Sequence, residues 1–400
     1  MAEAFRALWE TLLPIGADPA GGWTRPAWSD VDLEARAWFT REATARGLAV
    51  ETDRNGNLFA WLGDPGAGGA VVTGSHLDSV PHGGAYDGAL GVASALLALD
   101  LLAARGATPR RPVAVAVFAA EEGARFGVPC LGSGLLTGAV EPDRARALTD
   151  AGGVSLAQAM RAAGVDPDRI GPDPARLARI GHFVELHVEQ GWALAEIGAP
   201  VGVGSGIWPH GRWRMSITGT GDHAGTAAMA GRRDPLLTAA YAVLAANKEA
   251  RLRGGRATVG QLVTRPGATN AIAANVSLWL DARAADPDTL AGLVAAVAAR
   301  VTERAGRDRT SVTVHAESQT PPVTFDPDLR RRLVAALGGA PVLATAAGHD
   351  AGVLAAHIPT GMLFVRNPSG VSHAPDEAAS DADCAAGVAA LADVLQELAC

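Results

Sequence analysis

Val71-Val72-Thr73-Gly74-Ser75-His76-Leu77-Asp78 is the stretch on which the fold turns. Its opening residues are β-branched, as in a short buried strand, and the run breaks at once into glycine, serine, histidine and aspartate. Further on, Gly88–Ala104 is apolar on every side and is stopped by Gly106, the pattern of a buried helix with a glycine at its end. Val113–Ala120 is a second apolar run. Strand, buried helix and strand in this order require a right-handed crossover and predict a mostly parallel α/β sheet. Phe183–Leu186 and Met362–Val365 read as two more buried strands.

Between Trp213 and Ser318 the rhythm changes. Trp213–Thr220 alternates as a strand, Pro235–Ala250 reads as a helix, and Ala257–Val263 and Val276–Ala284 read as strands. A helix over Asp288–Ala305 and a strand over Ser311–Ser318 complete the order β-α-β-β-α-β, that of a ferredoxin-like (α+β) unit. Helix and buried-strand patterning returns from Pro321 onward. The expected organisation is therefore one α/β domain, residues 1–208 and 319–400, with a smaller domain, 209–318, inserted into it. Hinges are expected near Gly206 and Thr320.

The bulk numbers agree with two domains: 400 residues are too many for one ordinary core, and 48% hydrophobic residues suffice for two. A formal charge of −8 argues against nucleic acid or an anionic membrane as a partner. Met1 to Gly16 carries Glu3 and no basic leader, which argues against a secretory signal. The longest apolar stretch, Val92 to Ala104, contains Asp100 and falls short of a membrane span. Cys130, Cys384 and Cys400 form no Cys-x-x-Cys pair, which fits a reducing cytoplasm and offers no thiolate metal site.

Each apolar strand ends in residues of ligand type. His76 and Asp78 follow the first, Glu121 and Glu122 the second, and His187, Glu189 and Gln190 the third. His373 follows the fourth, and Asp87 opens the buried helix. Open α/β sheets bind ligands beyond the carboxyl ends of their strands, so these segments are expected to converge. Imidazoles and carboxylates without sulfur suit a hard-to-borderline metal site. A carboxylate can bridge two ions about 3.5–4 Å apart, and Asp87 is the choice for that bridge. Asp78 could accept the second ring N–H of His76. Of Glu121 and Glu122, one could bind metal while the other acts as general base. Singly, each group has a bland reading: Asp87 as an N-cap, the two glutamates as a solvated helix start. Together, each at the end of a strand or helix, they favour a site.

These segments resemble the M20 metallopeptidase family, in particular its hydantoinase/carbamoylase branch of ureido-acid amidohydrolases. The similarity runs through Gly-Ser-His-Leu-Asp-Ser-Val (74–80), Gly-Gly-Ala-Tyr-Asp-Gly (83–88) and Glu-Glu-Gly-Ala-Arg-Phe (121–126). It continues in Glu-Leu-His-Val-Glu-Gln-Gly (185–191), Asp-His-Ala-Gly-Thr (222–226), Gly-His-Asp-Ala (348–351) and Gly-Val-Ser-His (370–373). The resemblance implies two divalent ions per subunit, Zn or Mn, one on His76, Asp87 and His187 and the other on Asp87, Glu122 and His373. It makes Glu121 the general base and Asp78 the partner of His76; Glu189 stays a rival ligand on sequence alone, though the family match favours His187. It also marks His223, which polarises the scissile carbonyl across a dimer interface, and Asn270 and Arg283, which hold the substrate carboxylate; Gln190 is a further contact. The inserted domain becomes a dimerisation and lid domain, and the protein a homodimer. Gly134, Gly267 and Ala273 depart from the family pattern.

The activity so implied is hydrolysis of allantoate or an N-carbamoyl-L-amino acid, with release of ammonia and carbon dioxide and a slight lean to allantoate. The alternatives are an M20 peptidase or N-acyl-amino-acid deacylase and, in another class, an inactive binding paralogue.

Overall fold

Val71–Thr73 lies within a strand, Ala70–His76, all seven residues of which are buried. This is so in a computed structural model of the protein that describes residues 1–400. The first six strands are β1 (Ala49–Thr52), β2 (Leu58–Leu62), β3 (Ala70–His76), β4 (Val113–Phe118), β5 (Ile180–Val188) and β6 (Val201–Ile207). They form a mixed sheet in the order β1-β2-β4-β3-β5, then Thr360–Val365, then β6. Its centre is parallel, β4 with β3, β3 with β5, and β5 with Thr360–Val365. The flanking pairs, β1 with β2, β2 with β4 and Thr360–Val365 with β6, are antiparallel.

The crossover from β3 to β4 is the helix Ala89–Ala104, buried without interruption from Ala89 to Leu99. Its apolar side chains join those of the C-terminal helix Asp381–Ala399 in one core, with Leu90, Leu96, Leu391 and Leu395 wholly enclosed. Enclosing such a leucine stabilises by about 2 kcal/mol. Asp100 is the helix's one charged residue, and it faces outward to pair with Arg46 at 3.0 Å.

Register sets the site. His76 stands level with Phe118, and His187 with Phe364, so the carboxyl ends of four neighbouring strands finish on one edge. The expected second strand was two residues too long, because β4 ends at Phe118. Ala119 donates its N–H to the Asn57 side chain at 3.0 Å, and Ala120 turns the chain with φ of +55°, in the left-handed region.

The chain divides into two compact units, Met1–Gly206 with Thr324–Cys400, and Ile207–Val323. Within the second unit, four antiparallel strands stand in the order Ser311–Thr320, His210–Thr218, Asn275–Arg283, Arg256–Arg265. With helices Pro235–Arg253 and Pro287–Asp308 they make a β-α-β-β-α-β unit. The buried face of His210–Thr218 alternates, and Met215 and Ile217 pack with Val276, Leu278, Leu293 and Val297. The first strand stops at Thr218 rather than Thr220, since Gly219 and Thr220 donate to Ala274 and Arg233 instead. No helix of the protein is long and apolar enough to cross a membrane.

Candidate metal centre

His76 is the last residue of β3, and its ring is fixed by Nδ1, which lies 3.0 Å from the Asp78 carbonyl oxygen. His187, on β5, lies 2.9 Å from the Val188 carbonyl through its own Nδ1. A carbonyl only accepts, so both Nδ1 atoms carry a proton and both Nε2 atoms point the other way. They converge on Asp87: its Oδ1 is 3.1 Å from His187 Nε2 and 3.5 Å from His76 Nε2. Gly88 permits this approach. Its φ is +67°, and a Cβ there would lie 2.4 Å from the His76 ring.

The other carboxylate oxygen of Asp87 faces a second group. His373 Nε2 is 3.3 Å from Asp87 Oδ2 and 3.3 Å from Glu122 Oε2. His373 itself sits at φ of +57°, backbone strain of the kind that clusters at functional sites. Two triads therefore share Asp87: His76, Asp87, His187 and Asp87, Glu122, His373. Imidazole nitrogens and carboxylate oxygens turned toward one another, with a buried Glu122 oxygen lacking any partner, are satisfied by cations placed between them. The donor set fits divalent ions of the Zn or Mn kind.

Charge in the cluster follows from burial and pairing. Burial alone would raise the Asp87 carboxyl, but His187, His373 and His76 outweigh it and hold it well below the carboxylate range. Burial and the nearby Asp87 push Glu122 to about 7. The bond to Asp87 raises His373 to about 9 against its partial burial.

Glu121 faces the same space, with Oε2 3.7 Å from His76 Nε2. Its other oxygen accepts from the Cys130 thiol at 3.2 Å. Burial raises the Glu121 carboxyl well above its usual range; His76 opposes this, while Asp350, Glu122 and Asp78 add to it. The expected contact of Asp78 with the His76 ring is made by the Asp78 carbonyl, and its carboxylate is 3.8 Å from Nδ1. That carboxylate instead accepts the N–H groups of Glu121 at 3.1 Å and Glu122 at 3.2 Å. The reason is local: β3 ends at His76, so Asp78 turns toward the end of β4. Glu189, the rival ligand, takes its two oxygens to the N–H groups of Ala193 and Leu194 at the start of a short helix. Gln190 does reach the centre, donating to Asp87 Oδ2 at 3.0 Å and to Ser372 at 2.8 Å.

His223, Asn270 and Arg283 belong to the second unit. His223 and Asn270 are neighbours there, since Asp222–His223 pairs with Ala271–Ile272 and Ala224 donates to the Asn270 carbonyl at 2.9 Å. His223 Nδ1 accepts from Gly225 at 3.0 Å and Thr226 at 3.2 Å, which leaves the proton on Nε2. Arg283 is set apart at a strand end, in a two-bond ion pair with Asp281 at 2.8 and 3.2 Å. Of the departures, Gly134 has a packing cause: it is buried in a helix, and a Cβ would meet Val140 at 2.7 Å.

Three groups at the centre escaped the sequence reading. Glu185 accepts from Ser75 at 2.7 Å and from Ala351 at 2.9 Å, joining β3 and β5 to the Gly-His-Asp-Ala segment. His349 of that segment sets its ring edge-on against His187, centroids 4.5 Å apart, and burial followed by His187 keeps it neutral. Glu377 holds the backbone of Asp87. Glu185 and His349 lie in segments that carry the resemblance, Glu-Leu-His-Val-Glu-Gln-Gly and Gly-His-Asp-Ala, but neither was given a role, and Glu377 lies in none of them.

Comparison with known proteins places this geometry. Residues 72–397 match Peptidase family M20/M25/M40. An N-carbamoyl-L-amino acid amidohydrolase of Geobacillus stearothermophilus is 36% identical over 404 residues, 98% of each chain. The allantoate amidohydrolase of Escherichia coli K12 is 33% identical over 423 residues, 100% of this chain and 99% of that one. The crystal structure of an amidase of the hydantoinase/carbamoylase family from Burkholderia vietnamiensis superposes with a TM-score of 0.88 at 32% identity, covering 99% of this chain and 97% of that chain. The protein with the two triads around Asp87 thus belongs to the M20/M25/M40 peptidase family, on its hydantoinase/carbamoylase side, and is a hydrolase acting on C–N bonds.

Proposed function

We propose that the protein hydrolyses the C–N bond of a ureido acid, allantoate or an N-carbamoyl-L-amino acid, with release of ammonia and carbon dioxide. The observation that carries this is the pair of triads sharing Asp87, with Glu121 beside them and in neither. Two divalent ions, Zn or Mn, are proposed for the triads; when bound, they supply Lewis acidity and ease the ionisation of water.

The side chains have separate tasks in this reading. Glu121 takes a proton from the attacking water and returns it to the departing nitrogen. Asp78 holds the peptide of Glu121 and so aims its carboxylate. The buried Oε1 of Gln190, which has no partner, accepts a ureido N–H. His223 donates from Nε2 to the developing oxyanion, and its two backbone bonds at Nδ1 support that tautomer. Asn270 and Arg283 hold the substrate carboxylate, a planar anion suited to a guanidinium fork.

Ammonia release by Mn-loaded protein tests the class. Allantoate, ureidoglycolate and several N-carbamoyl-L-amino acids are assayed beside N-acyl amino acids and dipeptides, and release from at least one ureido acid is expected. Cleavage of acyl amino acids or dipeptides without ammonia would transfer the protein to the peptidase and deacylase reading. Turnover of nothing, with metal fully loaded, would leave a binding paralogue. Identities of 36% and 33% are too even to choose between the ureido substrates, so the assay makes that choice.

A homodimer is proposed as well, built on the second unit and completed by the partner subunit's His223. Leu237, Leu244 and Leu252 stand exposed along one helix of that unit, at spacings that gather them toward one side. Light scattering is expected to give twice the chain mass; a fully active monomer would end the cross-subunit role.

A further inference from the structure

Glu377 is four residues beyond His373, in the loop before the C-terminal helix, and is buried. Its Oε1 accepts the backbone N–H of Tyr86 at 2.9 Å and of Asp87 at 3.0 Å. Its Oε2 accepts from the Ser372 hydroxyl at 3.4 Å, and Ser372 also lies 3.3 Å from Asp87 Oδ2. One carboxylate thus joins the peptide that carries Asp87 to the loop that carries His373, across 290 residues of sequence. It reaches them through a space kept open by Gly84, where a Cβ would lie 2.2 Å from the Glu377 carboxyl carbon.

We propose that Glu377 is a positioning residue, a strut that holds Asp87 so that its two oxygens face the two triads. The inference rests on the two-ion reading of the centre. Its effect falls unequally on the two sides. His76 and His187 are on strands and are anchored through Nδ1 to backbone carbonyls. His373 lies in a loop, with 49% of its side chain exposed, and its bond to Asp87 depends on the Ser372–Glu377 connection. Loss of the strut therefore loosens the Asp87, Glu122, His373 side first. Outer partners of metal ligands typically change affinity about 10–100-fold.

The test is metal retention, measured as ions per subunit against increasing chelator, on Mn-loaded full-length protein, with circular dichroism to confirm folding. Wild type is expected to hold two ions. Glu377→Ala is expected to hold one firmly and to lose the other at about 10-fold lower chelator. Glu377→Gln keeps an oxygen for both N–H groups and is expected to restore retention. Gly84→Ala leaves the carboxylate in the chain but displaces it, and is expected to behave as Glu377→Ala does. If wild type does not hold two ions, the two-ion reading fails and takes the strut with it. If wild type holds two and both Glu377→Ala and Gly84→Ala hold them as firmly, the strut alone is overturned. Should Glu377→Ala not fold, retention by Glu377→Gln with loss in Gly84→Ala still supports the proposal, and equal retention in those two overturns it.

Discussion

Asp87→Ala is expected to lower kcat/KM by about 10⁴ or more, with loss of both metal ions and little change in secondary structure. The magnitude follows from what a catalytic ion contributes, several kcal/mol of transition-state stabilisation, at about 1.4 kcal/mol per decade of rate. No other residue stands in both triads. Its Oδ1 faces His187 and His76 and its Oδ2 faces His373, so a single truncation removes the shared ligand from each side. The remaining pairs, two imidazoles on one side and Glu122 with His373 on the other, are each one ligand short of the three protein ligands usual for a catalytic ion.

A second readout separates loss of metal from loss of fold. Ions that bind only the folded state stabilise it by about 4 kcal/mol at 1,000 times their Kd. Wild type should melt at a clearly higher temperature with Mn than with chelator, and Asp87→Ala should melt alike in both. The fold should survive, because Asp87 lies before the helix Ala89–Ala104, whose core is built from other residues. If Asp87→Ala kept two ions and its metal-dependent rise in Tm, the bridge would have been placed on the wrong carboxylate.

The reach of the sequence can be judged at Asp87 and its neighbours. The ends of β3, β4, β5 and Thr360–Val365 were legible because buried parallel strands are apolar runs with no packing use for the polar residues that follow. That logic placed His76, Asp78, Asp87, Glu121, Glu122, His187, Glu189 and His373 at one edge of the sheet, while the choice of His76, Asp87, Glu122, His187 and His373 as the two triads came from the family resemblance. It failed where the outcome depends on how the chain leaves a strand. His76-Leu77-Asp78 suggests a carboxylate against the ring, but the turn after His76 gives the ring a carbonyl and sends the carboxylate to the peptides of Glu121 and Glu122. His187 and Glu189 were hard to rank by spacing alone. Val188 ends the strand, and the turn beyond it delivers Glu189 to a helix start. Glu377 carries no local pattern at all, since its partners are the peptides of Tyr86 and Asp87. The inserted unit was readable chiefly from the alternation of His210–Thr218 and Asn275–Arg283, whose buried faces join the helices in one core.

Glu121→Gln is expected to lower kcat by about 10²–10⁴ while leaving metal content and Tm near those of wild type. The substitution keeps the shape, so the contact with Cys130 can persist, but an amide cannot take up a proton. Burial lifts the Glu121 carboxyl well above its usual range; His76 pulls it back, and the charges of Asp350, Glu122 and Asp78 lift it further. A raised carboxyl holds its proton more strongly, which suits a group that must accept one from water and give it to nitrogen. The sign of the pH dependence follows. As pH falls, Glu121 is protonated and can no longer act as a base, so kcat/KM of wild type should fall on the acid side. The variant has no such group, and its small residual rate should lack that acid limb. The adjacent Glu122 supplies the contrast. It is a member of a triad with His373 at 3.3 Å, so Glu122→Gln should lower metal retention together with rate. Two neighbouring glutamates with opposite outcomes, rate without metal for one and both together for the other, would fix their roles. Metal lost from Glu121→Gln and kept in Glu122→Gln would exchange them.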